Sequence, residues 1–113
     1  MNATDRVRLQ HMLDAAREAM SFVKDRTRDE LSANRMLLLS LVKEIEIIGE
    51  AATQISPELR QSTPDIPWGE IVGMRHRLIH AYSDVNMNVV WSTVVTDLPE
   101  LSEQLDRLLA ADR

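Results

Sequence analysis

The sequence contains no cysteine and few glycines, prolines or aromatic residues: 3 Gly, 4 Pro, 2 Trp, 1 Tyr and 1 Phe among 113 residues. Without cysteine, the protein has no disulfide framework, no thiolate metal site and no cysteine nucleophile. The scarcity of turn-forming residues excludes a fold built from many short β-strands. A helical protein is the remaining expectation.

Long hydrophobic runs are also missing. The most apolar window, residues 36–55, is interrupted by Lys43, Glu44, Glu46 and Glu50, a pattern that does not predict a membrane span. The N-terminal residues lack the apolar block of a signal peptide. We therefore expect a cytoplasmic protein with no membrane partner, folded as a single helical domain over residues 1–113.

Apolar residues recur at helical spacing along most of the chain. The predicted helices cover residues 5–24, 32–55, 68 to about 82, and 86–111, with a short helical turn after Pro57. Ser32 is the predicted N-cap of the second helix, and Pro99 must kink or split the last one. The predicted fold is all-α, an antiparallel bundle of four to five helices.

The second helix is apolar over more than one stripe, so several of its sides must be buried, either by its own bundle or by a partner chain. In a chain this short, a helix–helix homodimer is a reasonable explanation. Gly49 lies inside this helix, where glycine costs up to about 1 kcal/mol relative to alanine. Close approach of another backbone would offset that cost; a tolerated glycine without a role is the alternative.

The net charge of -5 argues against a broad basic surface for nucleic acid. The charge is uneven, however, because the segment from residue 83 onward has 2 basic and 6 acidic residues and so carries -4 of the total. Residues 73–82 instead contain two arginines, two histidines and the only tyrosine, with no acid. No carboxylate is therefore expected beside these side chains.

Arginine and histidine together can process a phosphodiester. The planar guanidinium presents a fork of donors to phosphate oxygens, and an imidazole with a pKa of about 6.5 accepts or donates a proton near neutral pH. Arg75 with His76 or His80 would form a minimal apparatus for cleaving RNA without a metal ion. Arg77 is a further candidate for a phosphate contact, and a solvated arginine is the alternative.

Other interpretations of this segment remain open. His76 and His80 are four residues apart, a spacing that suits two zinc ligands, but no third ligand is evident and the flanking arginines would repel a cation. The basic residues could also simply interact with the carboxyl end of a helix. Tyr82 taken alone is typical of a packed aromatic residue with a solvated hydroxyl.

The segment resembles the HEPN superfamily, and specifically its HepT-type toxin branch, which carries an R-x4-H-x-Y motif near the end of its third helix. Arg75, His80 and Tyr82 match that motif. Further likenesses are the glycine–glutamate element at residues 48–52, the approach at 66–73 and the stretch 98–101. His76 stands where many relatives have asparagine, so this chain departs from the family pattern at that position.

The resemblance implies a metal-independent endoribonuclease, the toxin of a type VII-like toxin–antitoxin pair, acting as a homodimer whose motifs share a cleft. Arg75 and His80 would be catalytic, and His76 and Arg77 would support them or bind RNA. Transfer RNA is a plausible substrate class by similarity. The implied partner is a nucleotidyltransferase-fold antitoxin that attaches AMP to Tyr82, and no cofactor or metal is implied.

Helix geometry adds one constraint. At about 100° per residue, Arg75 and His80 point about 140° apart on a straight helix. Either the helix loosens near His80 or a symmetric partner completes the site, and we favour the dimer. The alternatives are a non-catalytic HEPN module that binds a partner or a nucleotide, and an unrelated helical adaptor.

Overall fold

The computed structural model describes residues 1–81 and 84–112, and for residues 79–81 it describes the backbone alone. The elements in chain order are α1 (Ala3–Val23), α2 (Glu30–Ala33), α3 (Arg35–Thr53), α4 (Pro57–Ser62), α5 (Trp68–Val72), α6 (Met74–Leu78), β1 (Ile79–Ala81), β2 (Asp84–Val85), α7 (Met87–Ser92), a π-helical segment (Thr93–Asp97) and α8 (Leu98–Ala111). The predicted all-α bundle is confirmed. The short antiparallel pair of β1 and β2 was not predicted.

The centre of the bundle is α3, which packs against α1, α2, α5, α6 and α7. Its buried face includes Leu41, Ile45 and Ile48, each fully shielded from solvent. The helix therefore needs its wide apolar surface to contact neighbours within the same chain. The bundle thus covers most of the apolar surface of α3, and Met36 and Leu39 near its start stay 81% and 46% exposed. A partner chain is not needed to explain the buried part, and the homodimer stays a prediction.

The boundaries of the helices differ from the predicted ones where capping decides them. Ser32 lies inside the short α2, so its prediction as the N-cap of α3 is wrong. Asn34 has an extended backbone and its Oδ1 accepts a hydrogen bond from the N–H of Leu37 at 3.0 Å, which caps α3. Asparagine is as good a cap as serine, and the break between α2 and α3 decides which of them serves.

The predicted third helix is divided at Gly73 into α5 and α6. The predicted last helix is also divided, as expected near Pro99. The π-helical segment ends at Asp97, and Pro99 lies in the first turn of α8, where its missing N–H costs no helical hydrogen bond.

Two carboxyl groups are buried in contacts of α1. Asp5 is 2% exposed, and its carboxylate accepts hydrogen bonds from the backbone N–H and the hydroxyl of Ser56 at 2.9 and 2.6 Å. Since Ser56 is the N-cap of α4, this contact fixes the start of α1 against the start of α4. Glu44 of α3 is 6% exposed and interacts with Glu18 of α1.

Candidate active site

Helix α6 carries the predicted motif arginine on an exposed turn. Met74 and Leu78 are four residues apart and both buried, which places them on one face of the helix, toward the core. The three residues between them, Arg75, His76 and Arg77, are all exposed. Packing of the two apolar residues therefore presents the three basic side chains to solvent.

Arg75 is held by a carboxylate from a distant part of the chain. Its Nε donates to Oε1 of Glu46 on α3 at 3.1 Å, with the two side chains 55% and 29% exposed. The expectation that no carboxylate stands beside the basic segment is therefore wrong, because the fold brings α3 next to α6. A partly exposed pair of this kind contributes about 0–1 kcal/mol to stability, so its main effect is to orient the guanidinium.

Glu46 is the site residue that sequence reasoning missed. It is 29 residues from Arg75 in the chain, and no local spacing connects the two. Its position did contain a signal, because it interrupts the apolar pattern of α3 with a charge and so belongs to the face that the core leaves uncovered.

Arg77 lies on another side of α6. It lines a cavity of about 240 Å³ together with four carboxylates. These are Asp65, Glu70, Asp97 and Glu100. Arg75 and Arg77 are thus not brought together within one chain, and the acidic surroundings of Arg77 make it the poorer candidate for a phosphate contact.

The backbone leaves the helical conformation before it reaches His80. Helix α6 ends at Leu78, and His80 belongs to β1, so the helical angle between Arg75 and His80 does not apply. The first of the two alternatives, loosening of the helix, describes this chain. The side chain of His80 and the whole of Tyr82 lie outside the described residues, and the shared cleft of a dimer stays a prediction.

Gly49 marks the place where α3 meets the end of α5. A Cβ atom at this position would lie 3.5 Å from the carbonyl oxygen of Ile71 and 3.8 Å from that of Val72. Another backbone does lie beside Gly49, but at an ordinary van der Waals distance that leaves room for a Cβ atom, so this contact does not require glycine. The contact lies directly before α6 in the chain, so it helps to position Arg75.

None of the helices among the described residues is long and apolar enough to cross a membrane. No group of three or more His, Asp or Glu side chains among residues 1–78 and 84–112 is arranged to hold a metal ion.

Comparison with known proteins places the chain in a family. Residues 12–108 match the family model described as "Ribonuclease HepT-like". The chain is 34% identical over 110 residues to "Putative RNase TTE0752" of Caldanaerobacter subterraneus subsp. tengcongensis, which covers 97% of this chain and 98% of that protein. It is 33% identical over 100 residues to "Probable ribonuclease HepT" of Thermococcus cleftensis, with 85% and 91% covered.

A third relative is similar to a comparable degree. "Putative RNase MJ1380" of Methanocaldococcus jannaschii is 33% identical over 98 residues, which cover 87% of this chain and 90% of that protein. No solved structure matches the chain.

Proposed function

The chain belongs to the HepT-like ribonuclease family, and we propose that it is a metal-independent endoribonuclease with Arg75 and His80 as its catalytic residues. The observation that carries the proposal is the family match over residues 12–108, within which the R-x4-H-x-Y motif lies. The exposure of Arg75 on α6 supports it, because the guanidinium is available to a large polyanionic substrate.

The proposed reaction is an internal transfer at phosphorus. The ribose 2′-oxygen attacks the phosphorus, the bond from phosphorus to the 5′-oxygen breaks, and the products are a 2′,3′-cyclic phosphate and a 5′-hydroxyl. His80 removes the proton of the 2′-hydroxyl or protonates the leaving oxygen. Arg75 donates hydrogen bonds to the phosphate oxygens as charge builds on them, and His76 and Arg77 have supporting roles.

We propose that the protein is the toxin of a toxin–antitoxin pair and works as a homodimer in the cytoplasm. Its partner is a nucleotidyltransferase-fold antitoxin, which transfers AMP to the hydroxyl of Tyr82 and silences the toxin. Transfer RNA is the substrate class to examine first. These statements rest on the motif and on family membership.

The experiment is cleavage of total RNA and of purified tRNA by the wild type and by Arg75→Ala and His80→Ala. We expect both variants to lose at least about 100-fold in cleavage rate, as is usual when a charge-stabilising or proton-transfer group is removed. Arg17→Ala is the matched control, since Arg17 is 54% exposed and pairs with Asp106 of α8. Cleavage by the wild type should persist in EDTA and leave cyclic phosphate ends.

Undiminished cleavage by both variants would refute the assignment of the catalytic residues. Co-expression with the proposed nucleotidyltransferase partner completes the test, because the peptide that contains Tyr82 should then gain the mass of AMP. An unmodified peptide together with a neutralised toxin would show that the antitoxin acts by occlusion.

A second candidate function is a non-catalytic module that binds a partner or a nucleotide. The observation that favours it is His76, which replaces the asparagine that many relatives carry after the motif arginine. A protein that cleaves no RNA and is harmless when expressed alone would support this function. The His76→Asn variant tests whether this replacement is the cause of a missing activity. If His76 alone prevents catalysis, the variant should cleave RNA; if the protein is a binding module for other reasons, the variant should stay inactive.

A further inference from the structure

A polar groove runs along the contact between α1 and α3, outside the motif itself. It encloses about 420 Å³ and is lined by Arg8 and His11 of α1 and by Lys43, Glu46, Ile47, Glu50, Ala51 and Gln54 of α3. Glu46 also accepts the hydrogen bond from Arg75 at 3.1 Å. Because Glu46 both lines the groove and binds Arg75, the groove begins where the guanidinium of Arg75 is held.

The groove offers unpaired positive charge. Arg8 is half-buried, and its Nε is buried without a hydrogen-bond partner among the described residues. A buried donor of this kind costs free energy until an acceptor reaches the guanidinium. Lys43 and His11 are exposed at the same groove. Of its two carboxylates, Glu46 is already paired with Arg75, which leaves Glu50 as the opposing charge.

The residues that line the groove suit the sugar–phosphate backbone of a nucleic acid better than an unpaired base. None of the eight lining residues is a Phe, Tyr or Trp, and stacking on aromatic residues is the usual way in which proteins hold unpaired bases. Cationic side chains that follow a groove bind the phosphates of a single strand without regard to sequence. The apolar lining residues, Ile47 and Ala51, are too small a surface for a peptide helix.

We propose that this groove binds the sugar–phosphate backbone of the RNA strand beside the phosphate held by Arg75. Arg8 and Lys43 contact phosphates, and Glu50 opposes binding. The inference rests on the proposed ribonuclease function for the identity of the strand. It adds a substrate subsite on α1 and α3 that the motif does not contain.

The test compares Arg8→Gln, Lys43→Gln and the double variant with two controls that remove the same charges elsewhere. The controls are Arg17→Gln, on the same helix as Arg8, and Lys24→Gln, just after that helix ends. On an RNA that the wild type cleaves, the double variant should raise KM at least about tenfold while kcat stays within about twofold. The controls should leave both constants unchanged.

Binding supplies a readout that does not need cleavage. Anisotropy of a labelled single-stranded RNA is measured in the His80→Ala background over a range of salt concentrations. Loss of two phosphate contacts should lower the slope of log affinity against log salt by about 1.4, since each contact to a single strand contributes about 0.7. Glu50→Gln should shift affinity the other way and tighten binding.

Because Lys43 is exposed, a Lys43→Glu variant should fold normally, and it is added to the set of groove variants. Its thermal unfolding is compared with that of the wild type to check the fold. Equal KM, affinity and salt slope for the groove variants and the two controls would overturn the inference while the ribonuclease function stands. If the wild type cleaves no RNA, the proposed function fails, and the binding measurements still decide whether the groove holds a strand.

Discussion

At the scale of single residues, Glu44 is placed where its charge is unfavourable. Its carboxyl group is buried between α3 and α1, and this burial is the main reason why its pKa rises from 4.5 to about 7. The hydrogen bond and the negative charge of Glu18 raise the pKa further. The folded protein therefore holds a proton at Glu44 that the unfolded chain gives up above pH 4.5.

This shift predicts how stability changes with pH. Because the folded state binds the extra proton, the stabilising contribution is fully present below pH 4.5 and is lost as the pH rises to about 7. The change is on the order of 3–4 kcal/mol, from about 1.4 kcal/mol per pKa unit. Glu44→Gln keeps the hydrogen bond to Glu18 without the charge, so it should stabilise the protein above pH 7 and flatten the profile.

Urea unfolding at pH 5, 6, 7 and 8 measures this profile. Glu103→Gln, on the exposed surface of α8, is the matched control and should keep the slope of the wild type. A Glu44→Gln profile as steep as that of the wild type would mean that another group carries the pH dependence.

At the scale of elements, hydrophobic periodicity was sufficient for the long helices and failed at the short ones. The predicted ranges 5–24 and 32–55 lie close to α1 and α3 because each buries a continuous stripe. The division at Gly73 depends on the packing of α5 and α6 against α3, which no local pattern encodes. The strands β1 and β2, of three and two residues, are too short to show the alternation that predicts a strand.

The candidate site also has a part that the sequence predicts and a part that only the fold reveals. Arg75 is predicted from residue types and their spacing in one segment, and its catalytic role stays a prediction. Glu46 and the groove that begins at it come from a helix 29 residues away, and only the fold brings them to Arg75. The acidic surroundings of Arg77 were also hidden, since its four carboxylate neighbours come from two separate stretches of the chain, residues 65–70 and 97–100.

Gly49 lies where α3 contacts α5, so substitutions at this position test how closely the two helices pack. A Cβ atom at 3.5 Å from the Ile71 oxygen is in ordinary van der Waals contact, so Gly49→Ala fits. Alanine is favoured over glycine within a helix by up to about 1 kcal/mol, and we expect a gain in unfolding free energy of that size.

Gly49→Val separates the effect of steric contact with α5 from the effect of helix propensity. Its branched carbons would press on the Ile71 and Val72 carbonyls, so it should destabilise the protein by about 1–3 kcal/mol and displace α5, which precedes α6. Both variants are measured by urea unfolding. A loss of stability in Gly49→Ala would show that the two helices tolerate no side chain between them.

At the scale of the whole molecule, the net charge of -5 coexists with a local basic surface. Arg8 and Lys43 line the groove together with Glu46 and Glu50, and Glu46 is paired with Arg75. The cavity around Arg77 is lined by four carboxylates and by none of these residues. A strand of RNA would therefore meet attraction along one path and repulsion on the other side of α6. This arrangement favours a defined orientation of the substrate over general adhesion to nucleic acid.

The proposed dimer predicts that two inactive variants recover activity when they are mixed. If each site takes Arg75 from one protomer and His80 from its partner, a dimer of Arg75→Ala with His80→Ala retains one intact site and one site that lacks both residues. Random mixing gives about half mixed dimers, so a co-refolded mixture of two inactive proteins should recover about a quarter of the wild-type activity. RNA cleavage after refolding from urea measures it, with wild type treated identically as the reference. A mixture as inactive as its components, beside a fully recovered wild type, would mean that both residues of each site come from the same chain.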